Sequence, residues 1–230
     1  MGTMKTLKTH YLIAPVTTIL LTVTIVVFVI ELVVSGGTTD NSYFLVQVGA
    51  KWGPYIKDDS QYWRLITPIF LHAGFMHIVT NMLTLWFIGP IAEDAFGSRK
   101  FLGLYFFSGI SGNIFSYLFS PNTISVGAST SLFGLFGGLM IFAYQFRHDP
   151  NVRALGSMMG LFILLTLLSS FSATNIDLWG HLGGFIGGVM FAMIFGFYSR
   201  NGKFSWHVRL VMVLLTVLLI GLTIFMGVRS

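Results

Sequence analysis

The chain has 230 residues, of which 54% are hydrophobic and only 9% charged. An ordinary soluble domain carries about 25% charged residues, so this chain lacks the polar surface to cover a water-soluble fold and reads as an integral membrane protein. Its net charge of +5 sits in short basic clusters between apolar runs rather than in one patch, which argues against nucleic acid as a partner and for membrane orientation.

In chain order, residues 1–12 read as a short cytoplasmic segment, with Met4 marking residues 1–3 as a cloning scar. The apolar run that follows is longer than the core of a signal peptide and lacks a small-residue cleavage site, so it reads as a retained anchor. A helix needs about 20 mostly apolar residues to cross a bilayer. Seven segments meet that need: Ile13 to Val34, Gly74 to Ile91, Phe101 to Ser120, Ser129 to Phe146, Val152 to Ser172, Leu178 to Tyr198 and Val208 to Val228. One long polar connection, 35–73, separates the first two. The seventh span has no acidic residue or His in its apolar body and reads as a peripheral anchor beyond a six-helix core over 13–198, with 199–230 as its appendage.

Basic residues set the orientation. With the N-terminus inside, the inner segments hold nine, namely Lys5, Lys8, Arg99, Lys100, Arg147, Arg153, Arg200, Lys203 and Arg209. The outer segments hold four, Lys51, Lys57, Arg64 and Arg229, which predicts N-terminus in and C-terminus out. Spans 2, 4 and 6 then all run inward, and their first turns share one depth.

Polar residues cluster at that depth. His77 and Asn81 are four apart in span 2 and share a helix face. Ser129 opens span 4, and His181 stands about one turn inside span 6. Each alone reads as a cap or a helix–helix hydrogen bond. Together they supply a hydroxyl, an imidazole and two side-chain donors at one level, the parts of a nucleophile, a general base and an oxyanion site. Gly134 and Gly138 in span 4, with Gly180, Gly184 and Gly188 in span 6, form small-residue stripes that let backbones approach closely enough for Ser129 to meet His181.

Four stretches, over about residues 60 to 195, resemble the rhomboid family of intramembrane serine proteases. "YWRLITPIFLHAGFMHIVTNM" resembles the family's Trp-Arg loop followed by its His-x-x-x-Asn helix, and "EDAFGSRKFLGLYF" the join to its third helix. "VGASTSLFGLFGG" resembles the Gly-x-Ser-Gly nucleophile motif, and "HLGGFIGG" the helix bearing the catalytic His. The resemblance implies an all-α rhomboid-like six-helix core plus one extra helix. It implies a Ser129–His181 dyad, an oxyanion site of His77, Asn81 and the Ser129 N–H, and a Phe133 ring against the catalytic His. No cofactor or metal is implied. The expected partners are the lipid bilayer and single-pass transmembrane substrates cleaved near the outer surface, in a bacterial plasma membrane.

Thr130 departs from the family, which has Gly after the nucleophile, and its β-branch crowds that position. This feature favours the alternative of a weak or inactive relative that binds transmembrane helices for quality control or scaffolding. A transporter would need inverted repeats or broken helices, and neither is visible. Ser131 should face away from Ser129, and Ser125 should lie in the loop. Asp177 reads as the cap of span 6 rather than a third catalytic group, and Glu93 with Asp94 as structural. Trp63, Arg64 and His72 belong to the outer loop, while Glu31 has no assigned role. Hydrolysis at this depth requires a wet cavity, expected between spans 2, 4, 5 and 6 and open to the outside. Residues 167–179 read either as a movable cap or as an ordinary connection.

Overall fold

The computed structural model describes residues 14–172, 176–199 and 202–228. The expected N-terminal segment 1–12, Arg200, Arg229 and the centre of the 167–179 connection lie outside the described residues. Seven long helices fall on the seven expected segments: α1 (Pro15–Val34), α4 (Phe75–Phe96), α5 (Ser98–Phe119), α6 (Ser129–Gln145), α7 (Pro150–Ser172), α8 (Leu178–Phe195) and α9 (Trp206–Val228). Five of them, α1, α4, α5, α8 and α9, are each long and apolar enough to cross a bilayer. The chain is a multi-pass membrane protein. Helix α6 is shorter and buried along most of its length, with α5 and α8 packed on it.

The connection 35–73 is polar by composition yet folded. It contains α2 (Ser42–Val48), α3 (Gly53–Lys57) and two single 3-10 turns, Tyr62–Leu65 and Thr67–Ile69. Asn41 caps α2, its side chain accepting from the N–H groups of Tyr43 and Phe44 at 2.9 and 3.2 Å. Arg64 is buried and ties the loop together, with Nη1 donating to Val46 O (2.6 Å) and Ala50 O (3.0 Å) and Nε to Gln61 Oε1 (2.7 Å). Lys51 is fully buried, and its Nζ donates to Ser120 O (3.0 Å) and Thr123 O (2.7 Å). Burial lowers its ammonium to about 8. A two-way backbone bridge between Lys51 and Ser125 completes the join. The outer loop is thereby pinned to the segment that leads into α6.

At the opposite end Glu93 does similar work, which bears out its structural reading. Its carboxylate accepts from Val16 N, Thr17 N and Thr17 Oγ1 at 3.1, 2.8 and 2.8 Å, and from Ser98 Oγ at 2.6 Å. The otherwise orphaned donors at the start of α1 are capped from another helix.

The contact that places the site is between α6 and α8. A Cβ built on Gly184 would collide with Thr130 O, and one on Gly188 with Gly134 O. The two backbones touch there, and only glycine permits it. Gly138, expected on the same seam, instead faces Leu104 and Phe96; Gly137 is the residue set against Phe185 O of α8. The exact four-residue spacing drifts from the contact because two helices cross at an angle rather than in register.

Gly188→Ala forces this seam apart. It should lower the unfolding free energy of the purified protein by about 1–3 kcal/mol, the usual cost of overpacking. A thermal or denaturant melt in detergent checks this, and an unchanged midpoint would mean that the seam relaxes freely.

Candidate active site

Ser129 is the first residue of α6, where backbone N–H groups lack partners within the helix. Gly127, two residues earlier, has φ +115° and donates its N–H to Pro68 O at 2.8 Å. A Cβ there would lie 2.7 Å from His77 Nε2, so glycine is required both by the backbone and by the approach of the ring.

His181 lies in the first turn of α8, and its Nε2 stands 3.0 Å from Ser129 Oγ. The Phe133 ring, one turn beyond Ser129, stacks on the His181 ring at 4.3 Å and 13°. Asp177 caps α8, accepting from Gly180 N at 2.9 Å through Oδ1. His181 Nδ1 is buried with no hydrogen-bond partner among the described residues. The arrangement is a pair, with Asp177 in the capping role expected of it.

Asn81 Nδ2 donates to His77 O at 2.9 Å, which fixes the two residues to one another. Ala73 N donates to His77 Nδ1 at 3.3 Å. A neutral imidazole accepting at Nδ1 carries its proton on Nε2, the atom beside Gly127. His77 is thus set as a donor toward the start of α6.

Behind this face lies a support that the sequence left unassigned. His72 is fully buried; its Nδ1 meets Phe70 O at 3.1 Å and its Nε2 accepts from Ala128 N at 3.5 Å. Its ring packs edge-on against His77 at 5.1 Å. Glu31, buried near the end of α1, accepts from His72 N at 3.3 Å through Oε2. Helix α1 therefore touches the backbone that leads to His77, and the His72 ring extends that support to Ala128, beside Ser129. The signals available were a Glu in an apolar run and His72 in the family-like outer loop, but the two are 41 residues apart.

Thr130, the residue after Ser129, is buried. Its side chain enters a slot bounded by two glycines. A Cβ on Gly112 of α5 would sit 2.7 Å from Thr130 Cβ, and one on Gly180 would sit 3.3 Å from Thr130 Cγ2. Ser131 is fully buried with its hydroxyl against Gly109 of α5, on another face as expected. Ser125 lies in the loop, paired with Lys51.

A cavity of about 730 Å³ connects these residues, lined by His77 and Asn81 of α4, Ser129 and Phe133 of α6, Phe162 of α7 and His181 of α8. Its walls come from spans 2, 4, 5 and 6, as expected, and its size suits a ligand site. The segment 122–126 lies along its rim.

An all-helical membrane bundle with a hydroxyl–imidazole pair in an internal cavity defines a class of protein, and comparison with known sequences gives the family. The Rhomboid domain profile matches residues 59–198, and the chain belongs to the rhomboid family. It is 39% identical over 197 residues to rhomboid protease GluP of Bacillus subtilis, covering 86% of this chain and 38% of that protein. It is 36% identical over 168 residues to Rhomboid-like protease 3 of Toxoplasma gondii, covering 72% of this chain and 63% of that one. With RHOMBOID-like protein 1 of Arabidopsis thaliana the identity is 35% over 167 residues, 72% of this chain and 42% of the plant protein. The chain spans less than two thirds of the length of each.

Burial lowers His72 to about 3, from an ordinary value of 6.5. The unfolded chain binds this proton below about pH 6.5 and the folded one does not, so stability is full above that pH and falls as pH drops toward 3. The expected slope from this group is about 1.4 kcal/mol per pH unit. Melting midpoints between pH 7.5 and 5 should fall less steeply for His72→Gln than for the parent; equal slopes would remove His72 as a source.

Proposed function

We propose that the protein is an intramembrane serine endopeptidase that cuts transmembrane segments of other membrane proteins near the outer surface. The observation that carries this reading is the 3.0 Å contact between Ser129 Oγ and His181 Nε2 inside a cavity of a membrane bundle. In this reading all seven long helices span, the N-terminus is inside and the C-terminus outside, and the cavity opens outward. Residues 13–198 form the protease core and 199–230 an added anchor. The membrane we propose is a bacterial plasma membrane.

His181 takes the Ser129 proton as Oγ attacks a substrate carbonyl carbon. The carbonyl oxygen becomes an oxyanion beside His77 Nε2, the free N–H of the Asn81 amide and the Ser129 N–H. His181 then gives its proton to the departing amine, leaving an acyl ester on Ser129. Water, deprotonated by His181, attacks that ester, and the returning proton restores Ser129. The water comes from the cavity, which lipid alone would exclude.

A helix protects its carbonyls, so the substrate must be extended where it is cut. Ser125 spends both backbone groups on Lys51, whereas the N–H and C=O groups of Ile124 and Val126, on the cavity rim, have no backbone partner among the described residues. They offer an extended substrate main-chain hydrogen bonds. Single-pass proteins with helix-weakening residues near the outer end of their span are the expected substrates.

The second reading, a relative that binds helices without cutting them, draws on Thr130. The slot between Gly112 and Gly180 weakens it, because glycines on two other helices make room for the extra side chain.

Purified protein should cleave a model transmembrane substrate, and Ser129→Ala should abolish cleavage. Undiminished cleavage by that variant would remove the nucleophile, and no cleavage by the parent would favour the binding reading. His77→Ala and Asn81→Ala should each lower kcat about a hundredfold, the usual cost of one oxyanion donor. Thr130→Gly should leave kcat within a few-fold of the parent; a large gain would show that Thr130 holds the enzyme back.

A further inference from the structure

The far end of α8 gathers positive charge. Its last carbonyls have no partners within the helix, and side chains from two other helices fill them. Arg209 of α9 donates Nε to Ile194 O at 2.7 Å. Lys100 of α5 donates Nζ to Phe195 O at 2.9 Å and to Gly196 O at 3.4 Å. Lys203 passes the same point: a Cβ on Gly196 would stand 3.4 Å from Lys203 Cα. The charges of Lys203 and Arg209 both act on Lys100.

Capping explains two of these cations but not the excess. A helix C-terminus is worth about half a negative charge, against three full positive charges here. Among the described residues no carboxylate pairs with any of the three, and Glu93, the buried acid of α4, is occupied by α1 and Ser98. Arg209 uses Nε on the carbonyl, its terminal guanidinium nitrogens hold no bond among the described residues, and Lys203 is exposed and likewise without a partner among them. The contacts to carbonyls hold two of the three cations in place before any ligand arrives.

The surroundings are those of a headgroup. Tyr198 and Trp206, both exposed, flank the cluster in sequence, as aromatic side chains do at a membrane–water boundary. Phe195, Leu210 and Leu214 continue from it as an exposed apolar surface on α8 and α9. A cationic cluster next to a lipid-facing apolar strip suits a ligand with a phosphate at one end and acyl chains at the other.

We propose that Lys100, Lys203 and Arg209 form a binding site for an anionic phospholipid, whose phosphate neutralises the cluster and whose acyl chain lies along α9. The site is at the opposite end of α8 from His181 and does not depend on the proteolytic reading. In the orientation proposed above it faces the inner leaflet, where anionic lipids attract basic segments.

The test uses the full chain in phosphatidylcholine micelles doped with phosphatidylglycerol, with native mass spectrometry counting retained lipids. The parent should retain phosphatidylglycerol over phosphatidylcholine, and Lys203→Gln and Arg209→Gln should each weaken that retention about fivefold, the effect expected for one cation near a lipid surface. Lys203→Gln carries the test if Arg209→Gln misfolds, because the Lys203 side chain is exposed and holds no hydrogen bond among the described residues. Arg147→Gln, on the α6–α7 connection, where the guanidinium donates to Tyr144 O rather than to the end of α8, should leave retention unchanged. Parent-like retention by Lys203→Gln would overturn the proposal. So would an equal loss with Arg147→Gln, which indicates general surface charge, or equal thermal stabilisation by inorganic phosphate without phosphatidylglycerol, which indicates a site for a free anion. Each of these outcomes is independent of cleavage, so a failure here is separable from a failure of the dyad.

Discussion

The backbone contact between α6 and α8 sets every distance in the candidate site. Ser has a short side chain and carries its oxygen close to the helix axis. A His on a neighbouring helix reaches it only if the two axes are drawn in well below the spacing that ordinary side chains allow. Gly184 under Thr130 O and Gly188 under Gly134 O provide that approach. In lipid this packing cannot draw on hydrophobic exclusion, since the tails are as apolar as the side chains, and close van der Waals contact takes its place. The 3.0 Å separation of Ser129 and His181 is a consequence of glycines one and two turns further along the bundle.

The second constraint is the lack of water for backbone and charged groups. The protein answers it by letting each type of group satisfy the other. Arg64, Lys51, Lys100 and Arg209 all donate to main-chain carbonyls, and Glu93 accepts from main-chain N–H groups at the start of α1. These contacts fall at the ends of helices and in the outer loop, where regular structure leaves partners free. The same side chains that solvate these ends also fasten separate elements together: α1 to α4, the outer loop to the entry of α6, and α5 and α9 to the end of α8.

Much of this was legible in the sequence because it depends on local spacing. Apolar run length gave the seven segments, the four-residue step placed His77 and Asn81 together, and Asp177 sat where a cap belongs. Contacts between distant residues were less accessible. The helices α2 and α3 are too short to stand out in a polar stretch, and what holds them is Arg64 reaching carbonyls 14 and 18 residues away. Glu31 could be noticed but not interpreted without His72. Gly138 was set on the α8 seam by simple periodicity, whereas the crossing of the helices gives that place to Gly137. The slot that receives Thr130 was hidden because it is made by Gly112 and Gly180, on two other helices.

That His181 Nδ1 has no partner among the described residues also fits the solvent. In water-soluble enzymes a buried carboxylate holds the imidazole in orientation and balances its positive charge. Placing another ionised carboxylate beside the ring at membrane depth would carry a large desolvation cost. Here the Phe133 face and the Ser129 hydroxyl fix the ring by packing and one hydrogen bond. A phenyl group thus takes over the orienting part of what a carboxylate does elsewhere, with no ionised group to bury. Asp177 remains at the edge of the cavity, with one oxygen committed to the helix it caps.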